Sequence, residues 1–194
     1  ELLLFCGIWF LLGALDDIAI DLLWIVRRGS MALRGETPPR RLDMLSPPRK
    51  PGLIAIFLPL WDEGAVTRQM LETCTDRWRG ANYRIFAGVY PNDSATRQAV
   101  GAAAARDPHI EIVINSAPGP TTKADCLNHL WLALLTFERR SAFTSKAVVL
   151  HDAEDLVHAD ELALFDRLIE DFDLVQLPVR AVPVPGSPII SGHY

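Results

Sequence analysis

The stretch Ala147-Val148-Val149-Leu150-His151-Asp152-Ala153-Glu154-Asp155 places three carboxylates directly after an apolar run that is typical of a buried strand. In open α/β sheets ligands bind in the crevice beyond the carboxyl ends of the strands, so we expect a functional site here. Asp152 and Glu154 point the same way on an extended chain, with Cα atoms roughly 6–7 Å apart. Such a pair favours a hard divalent cation, and Mg²⁺ typically binds one or two carboxylates plus substrate phosphates. The simpler alternative is that Asp152 or Asp155 caps the next helix.

Apolar runs and amphipathic stretches alternate along the chain from Leu53 onward. The apolar runs predict strands near residues 53–58, 83–90, 110–114, 146–150 and 174–179. The stretches with helical spacing predict helices over residues 63–78, 96–105, 121–140 and 159–172. Alternation at this rhythm indicates βαβ units, so we expect an α/β domain whose mainly parallel sheet is flanked by helices.

Composition and charge narrow the class of protein. With 194 residues, 49% of them hydrophobic and 22% charged, the chain is long enough for one globular domain plus an appendage. Residues 27–50 contain seven Lys/Arg and two acids, whereas residues 151–173 contain nine acids and one arginine. Without aromatic interleaving in the basic segment, and with a net charge of −5, we expect no nucleic-acid partner. Cys6, Cys74 and Cys126 lack metal-site spacing and are interpreted as buried side chains in a reducing compartment.

Residues 1–28 are predicted to form a transmembrane helix. Leu2–Leu15 is continuously apolar, three aspartates follow, and the apolar pattern resumes at residues 22–26. A bilayer span needs about 20 apolar residues, and the chain opens without methionine, so we expect the span to begin upstream of Glu1. The aspartates are costly at mid-membrane and fit an interfacial end. A buried helix of a soluble protein is the alternative; a signal peptide matches poorly, because no basic region precedes the run.

Residues 29–50 are basic and rich in proline, which predicts a juxtamembrane linker. Each basic residue gains about 1 kcal/mol near anionic lipid. The excess of Lys and Arg next to the apolar helix places the following domain, residues 51–194, on the cytoplasmic side of the membrane.

Polar residues follow three of the predicted strands, and the carboxyl ends of parallel strands share one edge of a sheet. Lys123 opens a helix after a Gly/Pro loop, where backbone N–H groups already favour anions. Acids for a cation, a lysine for phosphate and an acid for a ribose or base suggest a site for a nucleotide diphosphate. The absence of Gly-x-Gly-x-x-Gly and Walker motifs weakens dinucleotide and ATPase interpretations. The predicted site residues are Pro59, Glu63, Asp93, Lys123, Asp152 and Glu154.

Four segments in a fixed order carry a resemblance to a known family. They are Pro59-Leu60-Trp61-Asp62-Glu63, Tyr90-Pro91-Asn92-Asp93, Lys123-Ala124-Asp125-Cys126-Leu127-Asn128 and Asp152-Ala153-Glu154. Together the segments resemble the motifs of family 2 glycosyltransferases with the Rossmann-like GT-A fold. Within that family the closest likeness is the membrane-bound bacteriophage adsorption protein B group, relatives of bacterial cellulose synthase. The chain departs from the family at Asp62, where Asn is usual, and at Glu154, the second acid of an Asp-x-Asp motif. The resemblance extends to Val179.

The resemblance implies inverting transfer of a sugar from a nucleotide-sugar, UDP-linked, to a growing exopolysaccharide or surface glycan. It implies that Asp152 and Glu154 hold Mg²⁺ or Mn²⁺ against the diphosphate. Contacts with the nucleotide-sugar are expected from Pro59, Glu63, Asp93, Lys123 and Asp152. The implied location is the bacterial inner membrane, with the catalytic domain facing the cytoplasm, and the implied partners are a glycan acceptor and an outer-membrane export protein. The family's catalytic base lies in a later Glu-Asp motif, expected beyond Tyr194, so we interpret the chain as the donor half of a longer enzyme.

Two other functions remain open at this stage. A glycoside hydrolase also uses paired acids, but these flank the sugar from opposite faces, whereas Asp152 and Glu154 face one way. A non-catalytic membrane scaffold or phage-receptor subunit would retain the fold without the activity. Structural roles are expected for His151 and His158, and Trp61 suits either stacking near a donor or packing of its loop.

Overall fold

The computed structural model describes residues 2–35 and 42–178, which belong to two units, residues 1–45 and residues 46–194. The first unit contains helix α1, Leu2–Leu33, and a 3₁₀ turn at Leu42–Met44. α1 continues past the three aspartates without interruption, and it buries none of its side chains. Its length and apolar composition suffice for a membrane span. Cys6 is exposed on this helix, so the expectation that all three cysteines are buried was wrong for that residue.

The second unit is built on a four-stranded sheet in the order β3-β2-β1-β4, with every neighbouring pair parallel. Its strands are β1 Leu53–Pro59, β2 Tyr83–Val89, β3 Ile110–Ile114 and β4 Ser145–Leu150. Its helices are α2 Gly64–Arg77, α3 Ser94–Ala104, α4 Lys123–Ser141 and α5 Glu161–Leu168. These elements confirm the predicted α/β class, since each of the first three strands is followed by a helix that returns the chain to the same end of the sheet.

Two apolar clusters form the core, one on each face of the sheet. Side chains of a strand alternate between its faces, so Ile54 and Ile56 of β1 enter one cluster while Phe57 enters the other. The first cluster contains residues of α2, α3 and α5, and the second contains residues of α4. Helices therefore cover both faces, which leaves the carboxyl edge of the sheet and the loops along it to form a site.

The predicted fifth strand is wrong for residues 174–178, which the structure describes without regular structure; Val179 lies outside the described residues. Leu174 is 85% exposed. The prediction was made from apolar side chains alone, whereas a strand forms only where its N–H and C=O groups meet a partner strand. Within the described part of the chain, residues 174–178 take no place in the β3-β2-β1-β4 sheet.

The segment that leads into β1 is attached to the C-terminal end of α5. The backbone N–H groups of Arg49 and Lys50 donate to the Glu170 carboxylate over 2.9 and 2.8 Å. The Nζ atom of Lys146, on β4, lies 2.6 Å from Asp166 Oδ1 and 2.9 Å from Glu170 Oε1. This ionic cluster holds the start of the domain, its edge strand and its last described helix together.

Candidate functional site

Five of the six predicted site residues line a single cavity of about 310 Å³ at the carboxyl edge of the sheet. These five residues are Pro59, Glu63, Lys123, Asp152 and Glu154. The end of β1, the start of α4 and the end of β4 meet there, because parallel strands and their connecting helices bring segments far apart in sequence to one edge. Whether the five residues bind a ligand stays a prediction.

The loop after β4 presents Asp152 and Glu154 to this cavity. Ala153 between them is 3% exposed and belongs to the apolar cluster under α2 and α5, as does Val157. The prediction assumed an extended chain, but residues 152–155 form a turn, in which the Asp155 N–H donates to the Asp152 carbonyl over 3.1 Å. Both acids nevertheless line the cavity while Ala153 points into the core. The Asp152 carboxylate forms an ion pair with the Lys123 ammonium, with both side chains about half exposed.

Neither Asp152 nor Asp155 caps the next helix, so the helix-cap alternative was wrong. The N-cap of α5 is Asp160, and its side chain makes no capping hydrogen bond. Asp155 Oδ2 instead accepts a hydrogen bond from the backbone N–H of Asp152 over 2.9 Å. Asp155 therefore stabilises the turn that presents the acids, which leaves the Asp152 carboxylate free to face the cavity.

Glu63 adds a third carboxylate to the cavity. Its Oε2 atom accepts a hydrogen bond from the Trp61 backbone N–H over 3.3 Å. Burial raises the pKa of Glu63 above its ordinary value, and the negative charges of Glu154 and Asp152 raise it further. The Trp61 hydrogen bond and the charge of Lys123 act in the opposite direction without cancelling the rise. The cavity thus concentrates negative charge that favours a bound cation.

Asp93, the sixth predicted residue, is buried beside the cavity, and its carboxylate accepts hydrogen bonds from backbone N–H groups. Its Oδ1 accepts from the Thr96 N–H over 3.1 Å, which caps α3, and its Oδ2 accepts from the Asp62 N–H over 2.7 Å. Burial alone would raise the pKa of Asp93, but the hydrogen bonds from Thr96 and Asp62 outweigh it and lower the pKa. Asp93 therefore joins the loop after β1 to the loop after β2, and direct contact with a ligand stays a prediction.

The loop before α4 packs against two aromatic residues of the cavity wall. Trp61 and Tyr90 meet edge to face with ring centroids 5.1 Å apart. A Cβ added at Gly119 would lie 2.3 Å from the Trp61 ring, so only glycine permits this approach. The Asn92 amide exchanges two hydrogen bonds with the Gly119 backbone, at 2.8 and 2.7 Å. The Tyr90 hydroxyl lies 2.7 Å from Thr121 Oγ1. These contacts position the segment that carries Lys123.

His151 lies behind the acidic loop, with its side chain 10% exposed. Its Nδ1 is 3.0 Å from Asp155 Oδ2 and its Nε2 is 2.9 Å from Glu161 Oε1. The second contact is an ion pair and not a well-directed hydrogen bond. Burial lowers the pKa of His151, but the contacts with Glu161 and Asp155 raise it by more, so the pKa lies above its ordinary value. The expected structural role of His151 agrees with this placement.

A protein-family model described as "Glycosyltransferase like family 2" matches residues 51–182, which include every motif of the cavity. The chain belongs to this glycosyltransferase family. The matched residues include the four segments from which the resemblance was expected.

Two relatives in Escherichia coli are similar to this family 2 glycosyltransferase chain. Bacteriophage adsorption protein B of strain K12 and Bacteriophage N4 adsorption protein B of O157:H7 are each 41% identical to it over 171 residues. The alignments cover 87% of this chain and 23% of each relative. The chain thus spans about a quarter of the length of these relatives.

A solved structure supports the fold. A mannosyltransferase from Pyrobaculum calidifontis, in complex with GDP-Man and Mn²⁺, superimposes with a TM-score of 0.52 and 18% identity. The match covers 76% of this chain and 39% of that chain. At this identity the likeness shows the GT-A-like fold alone.

Asp62, where the resemblance led us to expect Asn, has a backbone conformation that both residues adopt readily. Asp62 has a φ of +57°, in the left-handed region. Asn and Asp enter this region several times more often than other residues with a side chain. Asp62 thus adopts the left-handed turn between Trp61 and Glu63, two residues of the cavity wall.

A divalent cation fits the donor set of this family 2 site. Among residues 2–35 and 42–178, no three His, Cys, Asp or Glu side chains converge as a preformed metal centre. Two acids that share a cavity with a lysine are instead the arrangement in which Mg²⁺ uses few protein ligands and substrate phosphates supply the rest. Asp152 and Glu154 are the residues that would hold the cation.

Sequence reasoning missed the residues that support the cavity. Asn92 and Gly119 contact each other across 27 residues, and His151 meets Glu161 beyond the acidic loop. The segment Tyr90-Pro91-Asn92-Asp93 was noticed for its acid alone. A Gly flanked by prolines at positions 118 and 120 was the available signal for a close approach, since only glycine admits one.

Proposed function

We propose that this chain is the donor-binding part of a membrane-anchored, inverting glycosyltransferase that uses a nucleotide-diphosphate sugar. The observation that carries the proposal is the meeting of Glu63, Lys123, Asp152 and Glu154 in one cavity at the carboxyl edge of a parallel sheet. The cavity contains carboxylates that can bind a cation and the ammonium group of Lys123, which can bind a phosphate. Such a lining suits a diphosphate better than an apolar ligand.

The chain's residues divide the work of binding the donor. Asp152 and Glu154 orient the diphosphate through a divalent cation, Mg²⁺ or Mn²⁺, which when bound stabilises the charge that develops on the leaving group. Lys123 opens α4, where the helix N-terminus favours anions, and its ammonium exchanges Asp152 for a phosphate oxygen. Pro59 and Glu63 shape the opposite wall, and Asp93 contacts the nucleoside. We assign the acceptor-deprotonating base to no residue of this chain.

The whole protein's setting is part of the same proposal. We place α1 in the bacterial inner membrane and the domain from residue 51 on the cytoplasmic face. The predicted linker, residues 29–50, is then shortened to residues 34–50, because residues 29–33 belong to α1. The donor is UDP-linked and the acceptor is an exopolysaccharide or surface glycan that an outer-membrane partner exports. Because the structural neighbour is in complex with GDP-Man, both UDP and GDP belong in the test.

The proposal is tested by calorimetry on the full-length protein in detergent. We expect UDP to bind in the presence of Mn²⁺ and to bind much more weakly in EDTA, since the acids repel a diphosphate unless a cation balances them. Asp152→Asn should reduce the Mn²⁺-dependent affinity at least tenfold. Asp173→Asn, a change at an exposed acid of the same acidic segment, is the matched control. If UDP and GDP each bound with the same affinity in Mn²⁺ as in EDTA, the proposal would be contradicted.

The names of the two relatives favour a second candidate, a non-catalytic membrane component required for bacteriophage adsorption. Phage adsorption to cells that carry Asp152→Asn separates the two functions. A scaffold would support adsorption at the wild-type rate with this variant, because the cavity plays no part. If the protein makes the glycan that phage recognises, adsorption should fall with the loss of donor binding.

A further inference from the structure

A network of side chains lies behind the loop of Asp152 and Glu154, on the side away from the cavity. His151 is at its centre, with one ring nitrogen facing Asp155 and the other facing Glu161. The two ring nitrogens therefore contact carboxylates from two different segments, the loop after β4 and the start of α5. His151 and Glu161 side chains are 10% and 9% exposed, and neither lines the cavity.

Each of the two carboxylates also accepts a backbone N–H of the same loop. Asp155 Oδ2 accepts from Asp152 N over 2.9 Å, at the start of the loop. Glu161 Oε2 accepts from His158 N over 3.3 Å, at its end. His151 therefore joins the two ends of the loop through Asp155 and Glu161, side chains that accept hydrogen bonds from the loop backbone.

The C-terminal end of α2, with its cap residue Trp78, contacts the same loop. Trp78 packs on the His151 ring with centroids 5.9 Å apart, and its Nε1 donates to the His158 carbonyl over 3.2 Å. Arg77 donates to the Val157 carbonyl. The loop that ends in these carbonyls is thus attached to the core as well as held by its own side chains.

We propose that His151 is a positioning residue of the donor site, which holds Asp152 and Glu154 in the arrangement that binds the cation–diphosphate group. The proposal rests on the proposed function. Asp152 and Glu154 carry like charges that repel each other, and a loop whose two ends are held by side chains opposes their separation before the cation binds. Residues that support metal ligands in this way typically contribute 10–100-fold to metal affinity.

The test measures binding of UDP and of GDP to the full-length protein by calorimetry, with Mn²⁺ and with EDTA. The variants are His151→Ala and Asp155→Ala. Asp155 is 37% exposed, so its removal threatens folding less than a change at the buried histidine. The matched control is His158→Ala, because His158 is in the same loop and its side chain is 76% exposed. The His158 ring accepts a hydrogen bond from the Asp160 N–H over 3.1 Å, and it is the His158 backbone that contacts Glu161 and Trp78.

We expect both variants to bind the preferred nucleotide about 10–100-fold more weakly than the wild type in Mn²⁺, with unchanged affinity in EDTA and an unchanged control. A purely structural role would lower the unfolding temperature and weaken binding equally in both media, which would overturn the inference. Wild-type affinity in Mn²⁺ for both variants would overturn it as well and leave the proposed function standing. If His151→Ala does not fold, Asp155→Ala decides. A wild-type protein without any Mn²⁺ dependence would contradict both proposals together.

Discussion

Asp62 lies between Trp61 and Glu63, two residues of the cavity wall, and its φ of +57° turns the chain so that both neighbours face the cavity. Its N–H donates to Asp93, which in turn caps α3. At the residue scale, then, the site depends on backbone conformations as much as on the acids that line it. Gly119 is the second such position, because it touches the Trp61 ring where a side chain would not fit.

Substitutions at Asp62 should separate conformation from charge. Asp62→Asn keeps a residue that adopts the left-handed region, so we expect wild-type stability and donor binding. Asp62→Val places a β-branched residue there and should destabilise the protein by about 1–3 kcal/mol. Denaturant unfolding of the full-length protein in detergent measures the difference. Equal stability of the valine and asparagine variants would show that the turn imposes no such requirement.

Gly119→Ala should weaken donor binding with little effect on the core. The new Cβ would lie 2.3 Å from Trp61 and 2.9 Å from Tyr90, so the loop that carries Thr121 and Lys123 must move. A displacement of about 1 Å in an active site can reduce the reaction rate up to 100-fold. For a displaced binding loop we expect a loss on the order of tenfold in Mn²⁺-dependent nucleotide affinity.

The control for Gly119→Ala is Gly101→Ala in α3, where an added Cβ meets nothing within 4 Å. Alanine is favoured over glycine inside a helix by roughly 0.5–1 kcal/mol, so this variant should be slightly more stable and bind the nucleotide normally. Unaltered binding by Gly119→Ala would mean that the loop absorbs the methyl group without moving Lys123.

At the scale of elements, α5 is attached to the domain by charge as well as by its apolar side. Lys146 is 16% exposed, and its partners Asp166 and Glu170 are 15% and 8% exposed. Hydrogen bonds from Lys146 and from the backbone of Lys50 and Arg49 hold the pKa of Glu170 well below its usual 4.5. The contact joins α5, β4 and the segment before β1, three elements that share no continuous stretch of sequence.

The stability of this junction should depend on pH in the acid range. The pKa of Glu170 is lower in the folded protein than in the unfolded chain, where it is near 4.5. The carboxylate therefore contributes its full stabilisation of the folded state above pH 4.5 and loses it as the pH falls toward the folded-state pKa. Glu170→Gln should therefore lower the unfolding temperature at pH 7, and the difference from the wild type should shrink below pH 4.5. Thermal unfolding from pH 3 to pH 8 checks this.

Asp173→Asn provides the control for Glu170→Gln, since Asp173 is an exposed acid close to the same helix. We expect its unfolding temperature to follow the wild type at every pH. A constant difference between Glu170→Gln and the wild type across the range would exclude the ionised carboxylate as the source of the effect and would indicate a packing defect instead.

At the scale of the whole molecule, an apolar helix with exposed side chains precedes an α/β domain that carries the acidic cavity. The Lys and Arg excess between them favours the cytoplasm for the domain. The three thiols of this chain bear on a test of membrane topology by thiol labelling. Cys74 and Cys126 are buried, and burial raises the pKa of both thiols, that of Cys74 to about 12, so they react slowly.

Thr144→Cys puts a thiol on the exposed connection between α4 and β4. If the domain faces the cytoplasm, a membrane-impermeant maleimide should label this variant in inverted inner-membrane vesicles and leave it unlabelled in intact spheroplasts. The unsubstituted protein, with its buried thiols and Cys6 on the apolar helix, is the control. Labelling in intact spheroplasts would contradict the proposed orientation.

The sequence by itself determined the α/β class, four of the five predicted strands and five of the residues that line the cavity. These features follow from local patterns, namely apolar strand-length runs, helical spacing and polar residues at strand ends, together with the rule that parallel strands share one carboxyl edge. Only the tertiary structure decided the rest. Residues 174–178 are no strand because they lack a partner in the described chain, and Asp93 serves the backbone because Asp62 lies beside it. His151 acquires its place from Glu161 and Trp78, contacts that no spacing along the chain encodes.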